Sequence, residues 1–406
     1  MKSEHLKSAG MSLKISIKYL VFALYPILGI YIILPGITLG NLVLLLFFIY
    51  KLFQAGKVTI DTELIVAMIF FICSNLFQII INSDVNITLI LHNTFAMGLF
   101  LIVTLSMTMD SDDDFARLYK YLKIVSVICA IALLFQLAFW NIFDKKILLF
   151  IPGIERIAYQ YLDATIFRPG AFFTEPSHLA IYLLPVFALS LIRKDYFFSA
   201  FIFIAILFST SSLGIITALL VILWHFKDFL LRRITPKRLL LTGIIIFVFL
   251  AFFVLFKPDI VRFAFGKLLT IFGKDSSPRL FGTLNYISFF RLPEYVFGIG
   301  LNQFAYLVEL KLGITVMSTG EPLTNYSNSL VFSFISFGII GFAIWIFLLY
   351  SVVMKLPKGY FTLGLVFLCV CATDQVLFNH NLTYMLVILR IIKRTGGFIP
   401  AREIST

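Results

Sequence analysis

A chain of 406 residues that is 60% hydrophobic and only 13% charged, with 47 phenylalanines, lies far from the composition of a soluble globular domain. Its formal charge of +12 would suit a nucleic-acid partner, but the basic residues sit mostly at the ends of apolar runs rather than on one polar face. That distribution excludes nucleic acid and predicts an integral membrane protein, residues 1–406 forming one helical domain.

Lys2, Lys7, Lys14 and Lys18 precede a first apolar run from Tyr19 to Leu34, and no small-residue cleavage site follows it, so it reads as a span. Pro35-Gly36 breaks that run and Ile37 to Tyr50 resumes it. Further runs at about 63–81, 87–108, 122–141, 178–192, 196–208, 213–226, 239–256, 328–353, 360–377 and 381–393 bring the expected total to twelve spans. Several are shorter than the roughly 20 residues a perpendicular span prefers. Cys73, Cys129, Cys369 and Cys371 all fall inside spans, where a small apolar thiol is ordinary core, and neither a disulfide nor a metal site is expected. The acidic run Asp110, Asp112, Asp113 and Asp114, followed by Arg117, Lys120 and Lys123, reads as a solvated turn at a span end. No G-x-x-x-x-G-K-S/T or H-E-x-x-H stretch is present, so ATP-driven transport and zinc hydrolysis lack their usual sequence support.

With the N-terminus inside, the cytoplasmic segments hold 22 of the 33 Lys and Arg, and the four short outer turns near 35, 82–86, 209–212 and 378–380 hold none. This positive-inside pattern predicts cytoplasmic N- and C-termini. The other 11 basic residues lie in two long outer loops, 142–176 and 257–326, which translocate regardless of charge. Loops of that length are usually functional, and the chemistry is expected there.

The first loop ends in Arg168-Pro169-Gly170-Ala171-Phe172-Phe173-Thr174-Glu175-Pro176-Ser177-His178, directly before an apolar run. Pro at the first helical position marks a helix N-terminus, whose unpaired N–H groups and positive dipole end, beside Arg168, make a place to hold an anion. Capping by Thr174 and Glu175 is the plainer role for the same residues. Ser209 to Ser212 and Asn325 to Ser329 open two further inward-running spans in the same way, and the three polar clusters together could line one outer cavity. The second loop carries Arg279, then Arg291 and Glu294, then Gly298-Ile299-Gly300-Leu301-Asn302-Gln303-Phe304. On one continuous helix, Arg279 and Arg291 would stand about 120° apart, so only one of them is expected at a given phosphate. Arg291 is taken as that contact because a guanidinium grips phosphate oxygens bidentately, and Arg279 is left to an acceptor sugar or the loop's own packing.

The pattern R-x-G-x-F-x-E-P-S-x-x-A, here Arg168 to Ala180 with one extra residue before Glu175, resembles the signature of Wzy-type O-antigen and exopolysaccharide polymerases. An Arg followed by G-x-G-x-N-x-F, matched by Arg291, Gly298, Gly300, Asn302 and Phe304, is also typical of that family. The resemblance implies an all-α polytopic bundle of GT-C-like architecture in the bacterial inner membrane, with two long periplasmic loops. It implies a metal-independent, cofactor-free glycosyl transfer between polyprenyl-diphosphate-linked oligosaccharides, with Arg168, Glu175 and Arg291 as catalytic residues. Arg279, Glu294, Asn302, Asn328 and His178 are expected to bind substrate, and the implied partners are membrane lipid and a chain-length regulator protein. Ser327-Asn328 with Gly338-Ile339-Ile340-Gly341 resembles the H-N/S/Q-x9-G-x-x-G pattern of O-antigen ligases, but Ser327 stands in the place of the His. A ligase and a lipid-linked oligosaccharide flippase are the alternatives. The flippase is disfavoured because the mid-span regions are almost uncharged.

Overall fold

The computed structural model describes residues 17–34, 36–53, 61–108, 115–157, 167–227, 287–288, 290–312 and 327–396. The expected span at 239–256, the turn from Asp110 to Asp114, and Arg279 lie outside the described residues. The described chain is helical: α1 (Ile17–Leu28), α2 (Leu39–Phe53), α3 (Thr62–Ile81), α4 (Ile87–Thr108), α5 (Phe115–Phe143), α6 (Pro176–Ile192), α7 (Tyr196–Phe208) and α8 (Ser212–His225). It continues with α9 (Leu292–Phe297), α10 (Phe304–Leu312), α11 (Ser329–Met354), α12 (Phe361–Thr373) and α13 (His380–Thr395).

Four of these, α3, α4, α5 and α11, are long and apolar enough to cross a membrane, and α1, α2, α6, α7, α8 and α12 are shorter apolar helices. A chain built this way is an all-α, multi-pass membrane protein. Small polar side chains fix where the helices start. Asp61, Ser211, Asn328 and Asn379 each accept a backbone N–H from the first turn of α3, α8, α11 and α13.

The helix expected over Tyr19 to Leu34 stops at Leu28. Ile32–Leu34 (β1) instead pairs with Ile37–Thr38 (β2) as a short antiparallel hairpin, Ile32 opposite Thr38 and Leu34 opposite Ile37. Gly36 supplies the turn with a φ of 80°, which glycine adopts at no steric cost. The hairpin is continued by the first long loop: the Ile32 N–H donates to the Glu155 carbonyl at 2.8 Å, and the Ile157 N–H to Ile30 at 3.0 Å.

Contacts between helix ends sort the bundle into two poles. At one pole lie the Asp61–Arg390 and Glu63–Lys355 ion pairs, Lys123 with Asp195 at 2.5 Å, and Arg193 over the Tyr119 ring. Phe115 against Tyr360 and Trp224 against Phe361 complete this basic pole. At the other pole meet the hairpin, the α3–α4 turn, the residues before α6, the α7–α8 turn, α9 and the start of α13. Between the poles, α6 is buried from Leu179 to Leu191 and α13 from Asn381 to Ile392. Helices buried on every side sit at the centre of a bundle, so the outward ends of α6 and α13 open into its middle.

Candidate functional site

Arg168 is the buried cation of the polar pole, 5% exposed. Its Nε donates to Thr210 Oγ1 at 3.1 Å and an Nη to the Thr210 carbonyl at 3.0 Å. Thr210 stands in the α7–α8 turn with φ of 58°, and the two-point grip of a planar guanidinium ties that turn to the start of α6. Arg168 thus joins the segment before α6 to the Ser209 to Ser212 cluster. The bend after Arg168 is set by Ala171, at φ 52°, whose N–H and carbonyl are both engaged by the Gln136 amide of α5, at 2.8 and 3.2 Å.

Glu175 occupies the N-cap position of α6 but makes no side-chain cap bond. Its Oε2 accepts from the Ser177 hydroxyl at 2.8 Å, so the carboxylate stays at the mouth of the helix. Thr174 Oγ1 lies 3.3 Å from His178 Nδ1, and the His178 ring stands edge-on to His380, the first residue of α13, with centroids 6.2 Å apart. Glu175 and His178 thus stand at the start of α6, and Arg168, in the segment before it, is held by the α7–α8 turn.

The second motif folds differently. Arg291 caps α9 and its exposed side chain pairs with Asp84 of the α3–α4 turn at 3.0 Å. Its partner is Asp84 and not the nearby Glu294, whose carboxylate accepts the Arg291 backbone N–H at 2.7 Å and is 4% exposed. Arg168 and Arg291 are therefore held by different turns, the first by α7–α8 and the second by α3–α4.

The G-x-G-x-N stretch lies in a notch in α11. Gly338 has φ 65° and ψ −166°, which breaks that helix, and the carbonyls of Ile335 and Ser336 accept the N–H groups of Ile299 and Gly300 at 3.1 and 2.9 Å. Asn75 and Gln78 of α3 and Asn93 of α4 complete the clamp. The Leu301 N–H donates to Asn75, Asn93 donates to the Leu301 carbonyl, and Gln78 donates to the Phe297 carbonyl, at 2.7 to 2.9 Å. Asn302, at φ 59°, donates to Asn93 at 3.0 Å, and the Gln303 amide takes both backbone groups of Asn86. Irregular backbone survives among apolar helices only when every polar group finds a partner, and these amides supply them. Glu294 and Asn302 thus hold the loop in place. Asn328 caps α11 by accepting the Val331 N–H at 2.9 Å.

Sequence reasoning passed over Asn75, Gln78, Asn93 and Gln136, all buried. The available signal was their polarity inside apolar runs, which marks partners for a neighbouring backbone or a ligand. Compared with protein-family models and with curated protein sequences, the chain finds no match.

Proposed function

We propose that the chain polymerises polyprenyl-diphosphate-linked oligosaccharide repeats by glycosyl transfer, with the polar pole on the periplasmic side of a bacterial inner membrane. The observation that carries the reading is that the segment opening α6 holds a buried Arg168, a Glu175 carboxylate not used in capping the helix, and His178, at the pole opposite the basic one. A hydroxyl of an incoming repeat attacks the anomeric carbon of the growing glycan. The bond from that carbon to the diphosphate oxygen breaks, and polyprenyl diphosphate leaves.

Glu175 takes the hydroxyl proton, while Arg168 and the first N–H groups of α6 face the charge that builds on the departing oxygen. The Arg291–Asp84 pair is exposed, and such pairs contribute about 0–1 kcal/mol, so Arg291 exchanges its carboxylate for a phosphate at little cost. Twelve spans and a GT-C-like arrangement belong to the same proposal, as do membrane lipid and a chain-length regulator as partners.

Deleting the gene and inspecting surface glycans tests the reading. Loss of a polymerase leaves single repeats on the lipid core, and Arg168→Ala at normal membrane abundance is expected to do the same. Polymer stranded on the carrier lipid would make the protein a ligase, and repeats trapped inside would make it a flippase.

A further inference from the structure

One polar group at the mouth of α6 has no role in the clamp or in the chemistry above. Asn381 is 1% exposed, and neither its amide nitrogen nor its amide oxygen has a hydrogen-bond partner. His380 Nε2 beside it is likewise buried and unpartnered. Helix capping does not use them, because Asn379 already accepts the N–H groups of Asn381 and Leu382 at 2.9 and 3.1 Å.

Helical register places these groups. Tyr182 of α6 stacks on Tyr384 of α13 with centroids 5.1 Å apart. His178 precedes Tyr182 by four residues and Asn381 precedes Tyr384 by three, so both stand one turn outward on the same facing stripes. The stacked rings lie one turn beneath these groups, and the His178 and His380 rings stand edge-on to each other beside Asn381.

A buried amide without partners is costly, and such groups in native proteins call for something to pair with them. The chemistry of the groups narrows the choice. Asn381 offers two donors and an acceptor, and a neutral His380 Nε2 serves as either. A phosphate, which only accepts, would leave the Asn381 oxygen unpaired; a sugar hydroxyl or acetamido group donates and accepts at once.

We propose that Asn381, His380 and His178 form a sugar subsite that reads a hydroxyl or acetamido group of the pyranose next to the diphosphate. This rests on the lipid-linked sugar reading above, with Arg168 serving the anion and Asn381 the ring.

The test uses the full chain in nanodiscs. Binding of farnesyl diphosphate is compared with binding of farnesyl diphosphate bearing glucose, galactose, N-acetylglucosamine or N-acetylgalactosamine. Wild type is expected to prefer at least one sugar-bearing form by about tenfold, what one or two neutral hydrogen bonds supply. Asn381→Leu and His380→Phe are expected to erase that preference and leave plain farnesyl diphosphate binding within about twofold. Asn381→Leu should also keep or raise the thermal midpoint, since it replaces an unpaired polar group by an apolar one of similar size.

A preference that survives both substitutions overturns the subsite, and so does its absence from wild type with all four sugars. A lower midpoint for Asn381→Leu also overturns it, because the amide would then be structural. Failure of wild type to bind farnesyl diphosphate in any form would sink the broader reading instead.

Discussion

Gly298 and Gly338 approach each other across a gap with no room for a side chain. A Cβ on Gly298 would lie 2.3 Å from the backbone of Ser336 and Phe337, and one on Gly338 would lie 2.3 Å from the Val296 backbone. Both also sit at positive φ with ψ near −166°, a region open essentially to glycine alone. Either residue changed to Ala is expected to cost roughly 2–5 kcal/mol from strain and overpacking together, read as a lower thermal midpoint in detergent. Gly98→Ala, where nothing lies within 4 Å, is the control and should leave the midpoint unchanged or slightly higher. At this scale the sequence made part of the site legible. Arg168 and Glu175 stood out because a cation, a carboxylate and a Pro frame a helix start; Thr210 stood out only as part of the Ser209 to Ser212 cluster, because a Thr in a short turn looks the same whether or not an arginine grips it.

The clamp around residues 297–303 belongs to the scale of elements. Asn75 bonds the Ile90 carbonyl, the Thr94 hydroxyl and the Leu301 N–H, and Asn93 bonds the Leu301 carbonyl, so α3 and α4 hold one residue between them. Asn75→Ala leaves buried backbone groups unsatisfied and is expected to destabilise by about 1–3 kcal/mol. Combined with Asn93→Ala, the loss should be smaller than the two single losses added, because both side chains serve Leu301. Thermal unfolding of the four variants in one detergent measures that coupling, and strict additivity would mean the two amides act separately. The G-x-G-x-N pattern is visible before the fold is, and of its residues only Asn302 is expected at substrate; the structural use of the stretch does not show in the sequence. A ligand loop and a loop wedged into a broken helix both require positive φ and close backbone approach, so the same residue types satisfy both. What separates them is the set of amides on α3 and α4, more than 200 positions away along the chain for the Asn93 contact. Pairing at that separation leaves no local trace. The hairpin at Ile32–Leu34 escaped for a related reason, since an apolar run of β-branched residues reads alike as the end of a span or as a strand.

For the whole molecule, the legible feature was the ordering of charge along the chain. Basic residues recur after every second apolar run, and the structure collects Lys355, Arg390, Lys123 and Arg193 at one pole with Asp61, Glu63 and Asp195. Arg390 is 4% exposed, so Arg390→Ala strands Asp61 among apolar helices and is expected to cost about 3–5 kcal/mol, whereas Arg390→Met with Asp61→Leu should cost much less. Neither outcome depends on which way the molecule faces, but the proposed chemistry does. Lipid-linked repeats are joined where cytoplasmic nucleotides are absent, so Arg168, Glu175 and Arg291 must face away from the cytosol. Single cysteines settle it once Cys73 and Cys369, the two thiols that are not buried, are changed to Ser. Arg291→Cys is expected to react with a membrane-impermeant maleimide once the outer membrane alone is made permeable, and Lys355→Cys only after the inner membrane is opened as well. The positive-inside bias demands this, because moving the basic pole outward would carry its cations across the hydrocarbon core. Labelling in the reverse order would leave the polar pole in the cytosol, out of reach of periplasmic substrates, and the polymerase reading would fall.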